Sequence, residues 1–272
     1  MSNLRAGIIK VLKKPYLSGV YNYLRLINAA RQDSLIAKAV LNKKFNSGFC
    51  PICEKKVLFV RKTDWLRDNY YCVSCFSIPR QRAIIKVLEA VAPNWREMTI
   101  HESASGGLSS DKIKSECANY TSSFYMKDVP SGTSRNGVRS ENLEKMTFAA
   151  ESFDIFITQD VFEHVLNPDL GFREVARVLK PNGIHIFTIP LYQHEKSLVR
   201  AVPDGDEIKY LVEPDYHGDP ATGDGWLVVT EWGHDFPDFI QKNGGMKTDI
   251  HLEKDVKYGL DGEFLEVFVS KK

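Results

Sequence analysis

No apolar run in this chain of 272 residues approaches the ~20 residues that a membrane-spanning helix requires. Residues 1–24 scatter charges among their apolar groups and offer no small-residue cleavage site, so the layout of a secretory signal is missing as well. A cytoplasmic protein is therefore expected. Repeats are lacking, and no glycine, proline or glutamine bias points to a fibrous or low-complexity chain; with a hydrophobic share of 43% and a charged share of 26%, the composition is that of a folded globular protein. Net charge is nearly absent at +1, but its distribution is uneven. Residues 1–90 hold 17 Lys and Arg against 5 Asp and Glu, whereas residues 91–272 hold 19 against 30. A basic front of this kind can face an anionic partner, remain a solvated surface, or dock on the acidic remainder.

Cysteine is scarce, and four of the five are paired: Cys50-Pro-Ile-Cys53 and Cys72-Val-Ser-Cys75. In a reducing compartment this spacing reads as metal binding, not as disulfides. Two residues between thiols let a tight turn aim both sulfurs at one ion, and two such turns complete a closed tetrahedral set, which suits structural zinc, with iron as the alternative. Arg61, Lys62, Trp65, Arg67, Tyr70 and Tyr71 interleave charge with aromatic rings between the pairs, a pattern able to stack on and neutralise a nucleic acid. Cys117 falls in a presumed helix as a buried free thiol.

The pattern divides the chain into an N-terminal helical region (1–48), a four-cysteine, zinc-ribbon-like module with a linking helix (49–92), and an α/β domain (93–272). Within the first, apolar groups recur at helical spacing, and the basic stretch 4–14 could rest on a membrane surface. From Met98 short apolar runs alternate with amphipathic segments: strands at 98–102, 120–125, 153–159, 184–189 and 264–270, and helices at 110–117, 169–179 and 236–242. That alternation predicts a doubly wound, mostly parallel sheet with helices on its faces. Residues 191–235, rich in Asp, Gly, Pro, Tyr and His, read as an elaborated loop region lining a substrate pocket.

The segment from Phe153 to Val165, FDIFITQDVFEHV, is a buried strand with a polar carboxyl end; it leads to a helix closed by Val178-Leu-Lys-Pro-Asn-Gly183 and a second buried strand. These residues resemble the class I S-adenosylmethionine-dependent methyltransferases of the type 11 group, whose run reads FD, then EH, then RVLKPGG before a strand. The resemblance implies a Rossmann-like fold, S-adenosylmethionine as cofactor and methyl transfer as the activity. It assigns cofactor contacts to Glu102, Ser103, Gly106 and Gly107 after the first strand, to Asn142 and Leu143 beside adenine, and to Gln159 and Asp160 at the end of the fourth strand. The glycine loop departs from the family at Ser103, Ala104 and Ser105. The ribose-binding acid is also missing: Tyr120–Tyr125 carries only Ser122 and Ser123, with no acid before Asp128, and Asn142 replaces the customary Asp.

Methyl transfer to a hydroxyl needs alignment and removal of a proton, whereas the sulfonium leaves without an acid. His164 is the first base candidate, because imidazole titrates near working pH. His217, in Tyr216-His-Gly-Asp-Pro220, is the second, and His194 lies nearby. His234 and Asp235 read as a strand end and a helix cap. The Tyr216 segment together with Trp232-Gly-His-Asp-Phe236 looks like bacterial methyltransferases associated with glycans or small molecules, so a sugar or small-molecule O-methyltransferase is the expected function. A nucleic-acid methyltransferase and a non-catalytic zinc-dependent interaction protein are the alternatives.

Overall fold

The computed structural model describes Asn42 and residues 44–205, 207–218 and 225–272. The helices expected within 1–41, and any membrane contact they make, lie outside the described residues. The cysteine module is a three-stranded antiparallel sheet of β1 (Phe45–Cys50), β2 (Lys55–Arg61) and β3 (Tyr70–Cys72), with one short helix, α1 (Leu66–Asn69), before its last strand. Residues 45–48, expected to be helical, are the start of β1. Their fate is set by tertiary contact: a Cβ on Gly48 would collide with the Lys257 carbonyl and the Phe59 ring, and Asn46 donates to the Val256 carbonyl at 2.7 Å.

The linking helix α2 (Pro79–Val91) begins with proline in its first turn, and the Gln81 side chain accepts from the Ile78 amide at 3.3 Å. Its apolar stripe of Ile84, Ile85, Val87 and Leu88 is fully buried against Ile100, Ile155 and Ile186 of the main sheet. Burying each such side chain contributes about 1.5–3 kcal/mol, which ties the module's helix firmly to the α/β domain.

That domain is organised on an eight-stranded sheet. Its parallel centre consists of β4 (Ile100–Ser103), β5 (Tyr120–Phe124), β8 (Phe153–Gln159) and β9 (Leu179–Thr188). On one side the sheet continues through β7 (Val138–Ser140) and its hairpin partner β6 (Ser134–Arg135); on the other lie β16 (Lys247–Leu252) and β17 (Glu266–Lys271), with β17 antiparallel to β9. The full order is β16-β17-β9-β8-β4-β5-β7-β6. The chain leaves β4 towards β5 and later returns to β8 on the opposite side, so a crevice opens at the carboxyl ends of these two strands. Helices α2 and α3 (Gly107–Glu116) cover one face; α4 (Pro168–Val178) and α5 (Phe236–Gly244) cover the other, where Phe172 stacks on Phe162 at 3.9 Å.

Strand β9 begins five residues earlier than periodicity suggests. The Pro181-Asn-Gly183 turn signal falls inside it as an irregularity, with Asn182 at φ 64° and a register shift opposite Phe153 and Ile155. The polar edge strand β16 has no apolar run to announce it. After β9, the expected loop region holds three two-stranded pieces: β10 (Leu198–Val199) with β15 (Thr230–Glu231), β11 (Ala201–Asp204) with β12 (Glu207–Tyr210), and β13 (Tyr216–Gly218) with β14 (Gly225–Leu227).

Candidate active site

Glu102 lies fully buried near the carboxyl end of β4, and its carboxylate accepts from Ser110 Oγ at 2.7 Å, from Gln159 Nε2 at 2.6 Å and from the Tyr120 hydroxyl at 2.6 Å. Burial pushes its pKa up, and the three donors oppose that shift. The parallel register of β4 and β8 brings Glu102 and Gln159 together, two residues that the sequence separates by more than fifty positions. A ligand in the crevice would meet Glu102 through Gln159 and Ser110, because the carboxylate itself is enclosed. Ser103 is buried beside it.

The loop to α3 turns through Ala104 at φ 57° and Gly107 at φ 79°. The two glycines differ in their surroundings. Nothing lies within 4 Å of a Cβ built on Gly106, which leaves room to approach the start of α3, where free amides favour a carboxylate; the Gly106 amide itself donates to Ser110 Oγ at 2.9 Å. At Gly107 the corresponding space is filled by the Gln81 side chain of α2, so this glycine accommodates the module's helix. Asn142 Oδ1 accepts from the Glu144 amide at 2.9 Å, shaping its own turn, and Leu143 packs into the core. Of the residues considered for the ribose, Ser123 is buried on His101 at 3.0 Å, while Asp128 pairs at the surface with Arg135 at 3.3 Å. Next to Asn142 stands the acid Glu141. It is buried and takes Arg139 at 2.7 Å and the Thr147 amide at 2.9 Å.

Asp160, directly after β8, has left-handed backbone at φ 51°. Its carboxylate receives Arg67 Nη2 at 2.8 Å to both oxygens and Arg80 Nη1 at 2.9 Å. Burial alone would raise its pKa, but the two guanidiniums draw it down to about 2. Sequence reasoning missed these arginines as site residues. The signals were the basic excess of the front half, for which docking on the acidic half was one of the readings, and the charged and aromatic pattern that includes Arg67 and was read towards a nucleic acid. Arg61 to Asp261 at 3.1 Å and Lys112 to Glu54 at 2.7 Å continue the same seam.

Within the module, Sγ atoms of Cys50 and Cys75 lie 3.7 Å apart and those of Cys53 and Cys72 3.9 Å, with all four within 4.8 Å of one another. Zinc–sulfur bonds of ~2.3 Å set tetrahedral sulfur edges of about 3.8 Å, so the donor set fits such an ion. Behind it Arg82 is fully buried, donating to the Tyr70 carbonyl at 2.8 Å and the Gly259 carbonyl at 2.6 Å over the Phe59 ring. Burial lowers its pKa to about 10, and the neighbouring thiols favour its charge. Cys117 is a buried thiol on the Met98 carbonyl at 3.2 Å.

Beyond Asp160, Glu163 is 2% exposed, and neither carboxylate oxygen has a hydrogen-bond partner among the described residues. Burial, then the Asp160 carboxylate, push its pKa well up. His164 Nδ1 sits 2.8 Å from the Leu227 carbonyl, which places the ring proton there and leaves Nε2 a lone pair. Burial lowers the His164 pKa, and His217 adds to that effect at a ring separation of 5.4 Å. The two base candidates, over fifty residues apart in sequence, are thus neighbours. His194 instead stacks on Tyr192 with its side chain half exposed. Asp235 occupies the position before α5, but its side chain takes the Ser197 amide and hydroxyl at 2.8 and 2.6 Å and does not cap the helix.

Residues 106–187 match the family profile described as a methyltransferase domain. Solved structures similar to the chain include an S-adenosylmethionine-dependent methyltransferase from Mesorhizobium loti, 14% identical, aligned over 70% of this chain and 98% of its own, with a TM-score of 0.44. Others are an S-adenosylmethionine-dependent methyltransferase from Methanosarcina mazei (16% identity, 65% and 93%, 0.39) and the 1,6-didemethyltoxoflavin-N1-methyltransferase of Burkholderia thailandensis, solved with S-adenosylhomocysteine (14%, 71% and 78%, 0.42). No curated protein matches. With the crevice at the β4–β8 switch and the profile match spanning α3 to β9, residues 106–187 are those of a methyltransferase domain on a Rossmann-like α/β fold.

Proposed function

We propose that the protein methylates a hydroxyl of a sugar or similar small molecule, bound at the carboxyl edge of β8 beneath the 191–235 insertion. The observation that carries this reading is the anchoring of His164: with Nδ1–H committed to Leu227, Nε2 is held as a proton acceptor beside His217. S-adenosylmethionine supplies a methyl group on a cationic sulfur that departs as a neutral thioether. The first amides of α3 would hold its carboxylate in the space that Gly106 leaves open, with Gln159, positioned by Glu102, alongside. Asn142 and Leu143 would border adenine, and Ser103 and Gly107 would shape the loop. Asp160 is a positioning residue, since Arg67 and Arg80 occupy its oxygens. His164 and His217 activate the acceptor hydroxyl, and the insertion supplies Tyr210, Tyr216 and Trp226 as exposed rings against which a sugar could stack.

The module around residues 49–92 is proposed to hold structural zinc, as its sulfur spacing and the charge of Arg82 support, in a cytoplasmic setting where thiols stay reduced. Its basic and aromatic residues give little support to a nucleic-acid substrate: Arg61 and Arg67 are spent on Asp261 and Asp160, and Tyr70 is buried. No described helix is long and apolar enough to cross a membrane. Incubation with radiolabelled cofactor and a panel of sugar hydroxyl acceptors tests the reading. His164→Ala is expected to lose about 100-fold or more in kcat while keeping cofactor affinity by calorimetry. Full turnover by both His164→Ala and His217→Ala would refute the assigned proton step.

A further inference from the structure

We infer that Glu163, His164 and His217 form a binding site for a divalent transition-metal ion at the carboxyl edge of β8. The ligand atoms of the three side chains lie within 4.8 Å of one another. His164 Nε2 faces Glu163 Oε1 at 3.8 Å, too long for a hydrogen bond and a few tenths of an ångström wider than the edge of about 3.4 Å that tetrahedral bonds of ~2.1 Å set, a gap that a small side-chain rotation closes around an ion. The Nδ1–H of His164 is given to the Leu227 carbonyl at 2.8 Å, the outer-shell contact that fixes a metal-ligating imidazole with its other nitrogen turned inward.

Glu163 is the second, independent observation. A carboxyl group with both oxygens buried and unpartnered is costly, and it occurs in native proteins where an ion or another group completes it. Its surroundings favour a cation. Arg67 and Arg80 are already paired with Asp160 and Asp68, so an ionised Glu163 leaves three carboxylates facing two guanidiniums. Two imidazoles and one carboxylate suit zinc, iron, cobalt or nickel, and three protein ligands leave coordination positions open.

The site deepens the proposed O-methyl transfer and rests on it only for its catalytic consequence. An acceptor hydroxyl on the ion is acidified there; its O–H bond breaks with the proton passing to water, and the oxygen electron pair forms the C–O bond as the C–S bond breaks. The histidines then serve as ligands, and the ion takes over the activation otherwise assigned to free imidazole.

The test is titration of the full-length, zinc-loaded protein with Co2+, without cofactor or acceptor, so that its outcome is independent of methyl transfer. The wild type is expected to take up one further equivalent, giving weak visible bands without thiolate charge transfer. His217→Ala, a change on a small surface hairpin, should weaken this binding about tenfold or more, as should Glu163→Gln, which keeps the side-chain volume. Absence of the further equivalent in the wild type, or its retention at full affinity in both variants, would overturn the inference. Thiolate charge transfer in the wild type and both variants would report only Co2+ at the four cysteines and likewise count against this site.

Discussion

Two regions cover the carboxyl edge of the sheet, and they are built differently. The cysteine module approaches with paired charge: Arg67 and Arg80 clamp Asp160, and the buried Arg82 donates to backbone carbonyls under the thiols. The 191–235 insertion approaches with short two-stranded pieces and exposed rings at Tyr210 and Tyr216, and its Val229 amide meets the backbone of Glu163, whose carboxylate has no partner among the described residues. A region whose guanidiniums are spent on carboxylates and backbone carbonyls holds structure. One that leaves acceptors unspent and rings exposed is suited to receive a ligand, and this contrast separates scaffold from substrate side.

Metal removal should separate them most sharply. Structural zinc contributes on the order of 10 kcal/mol to small domains, so a strong chelator is expected to abolish cooperative unfolding of the module. A thermal melt unchanged by chelator would remove the module's claim to be an ion-held scaffold. Next in size is Asp160→Asn, which leaves Arg67 buried without its carboxylate and should cost about 3 kcal/mol in urea denaturation. A loss well below that would mean the two regions meet only loosely.

Acid probes the sheet that both regions share. Burial holds His101 and His185 at about 3, far below their ordinary value of 6.5, so the unfolded chain binds protons that the folded chain refuses. Stability is therefore full above pH 6.5 and falls as pH drops from there towards 3. Asp160, held at about 2, adds a further loss below its ordinary 3.8. His185→Phe should flatten the upper part of a melting-temperature profile against pH; an unchanged profile would show that this histidine does not contribute. The smallest effect is expected at Tyr216→Ala, within about 0.5 kcal/mol in stability because the ring is exposed, with a raised KM for the acceptor. A large stability loss there would place the insertion with the scaffold.

Much of the α/β domain was legible along the chain. Strand 153–159 and the helix behind it carry strong apolar periodicity, and their observed limits fall within a residue of expectation. The cysteine pairs were legible because a tetrahedral ion demands short, regular spacing. Strand β1 was not, since Gly48 and Asn46 are selected by the C-terminal turn they touch and not by local propensity. In the site, the histidines could be nominated singly. Their adjacency, and the isolation of Glu163, depend on how the insertion folds back over β8.

The sequence by itself determined the alternation that makes a doubly wound sheet, the zinc-like thiol set and the polar run at the end of β8, because periodicity and ligand spacing are local properties. Only the tertiary structure decided that Arg67 would seal Asp160, that Gln81 would fill the space at Gly107, and that His217 would come beside His164. Those outcomes are long-range pairings of buried charge and shape, and no window along the chain contains both partners.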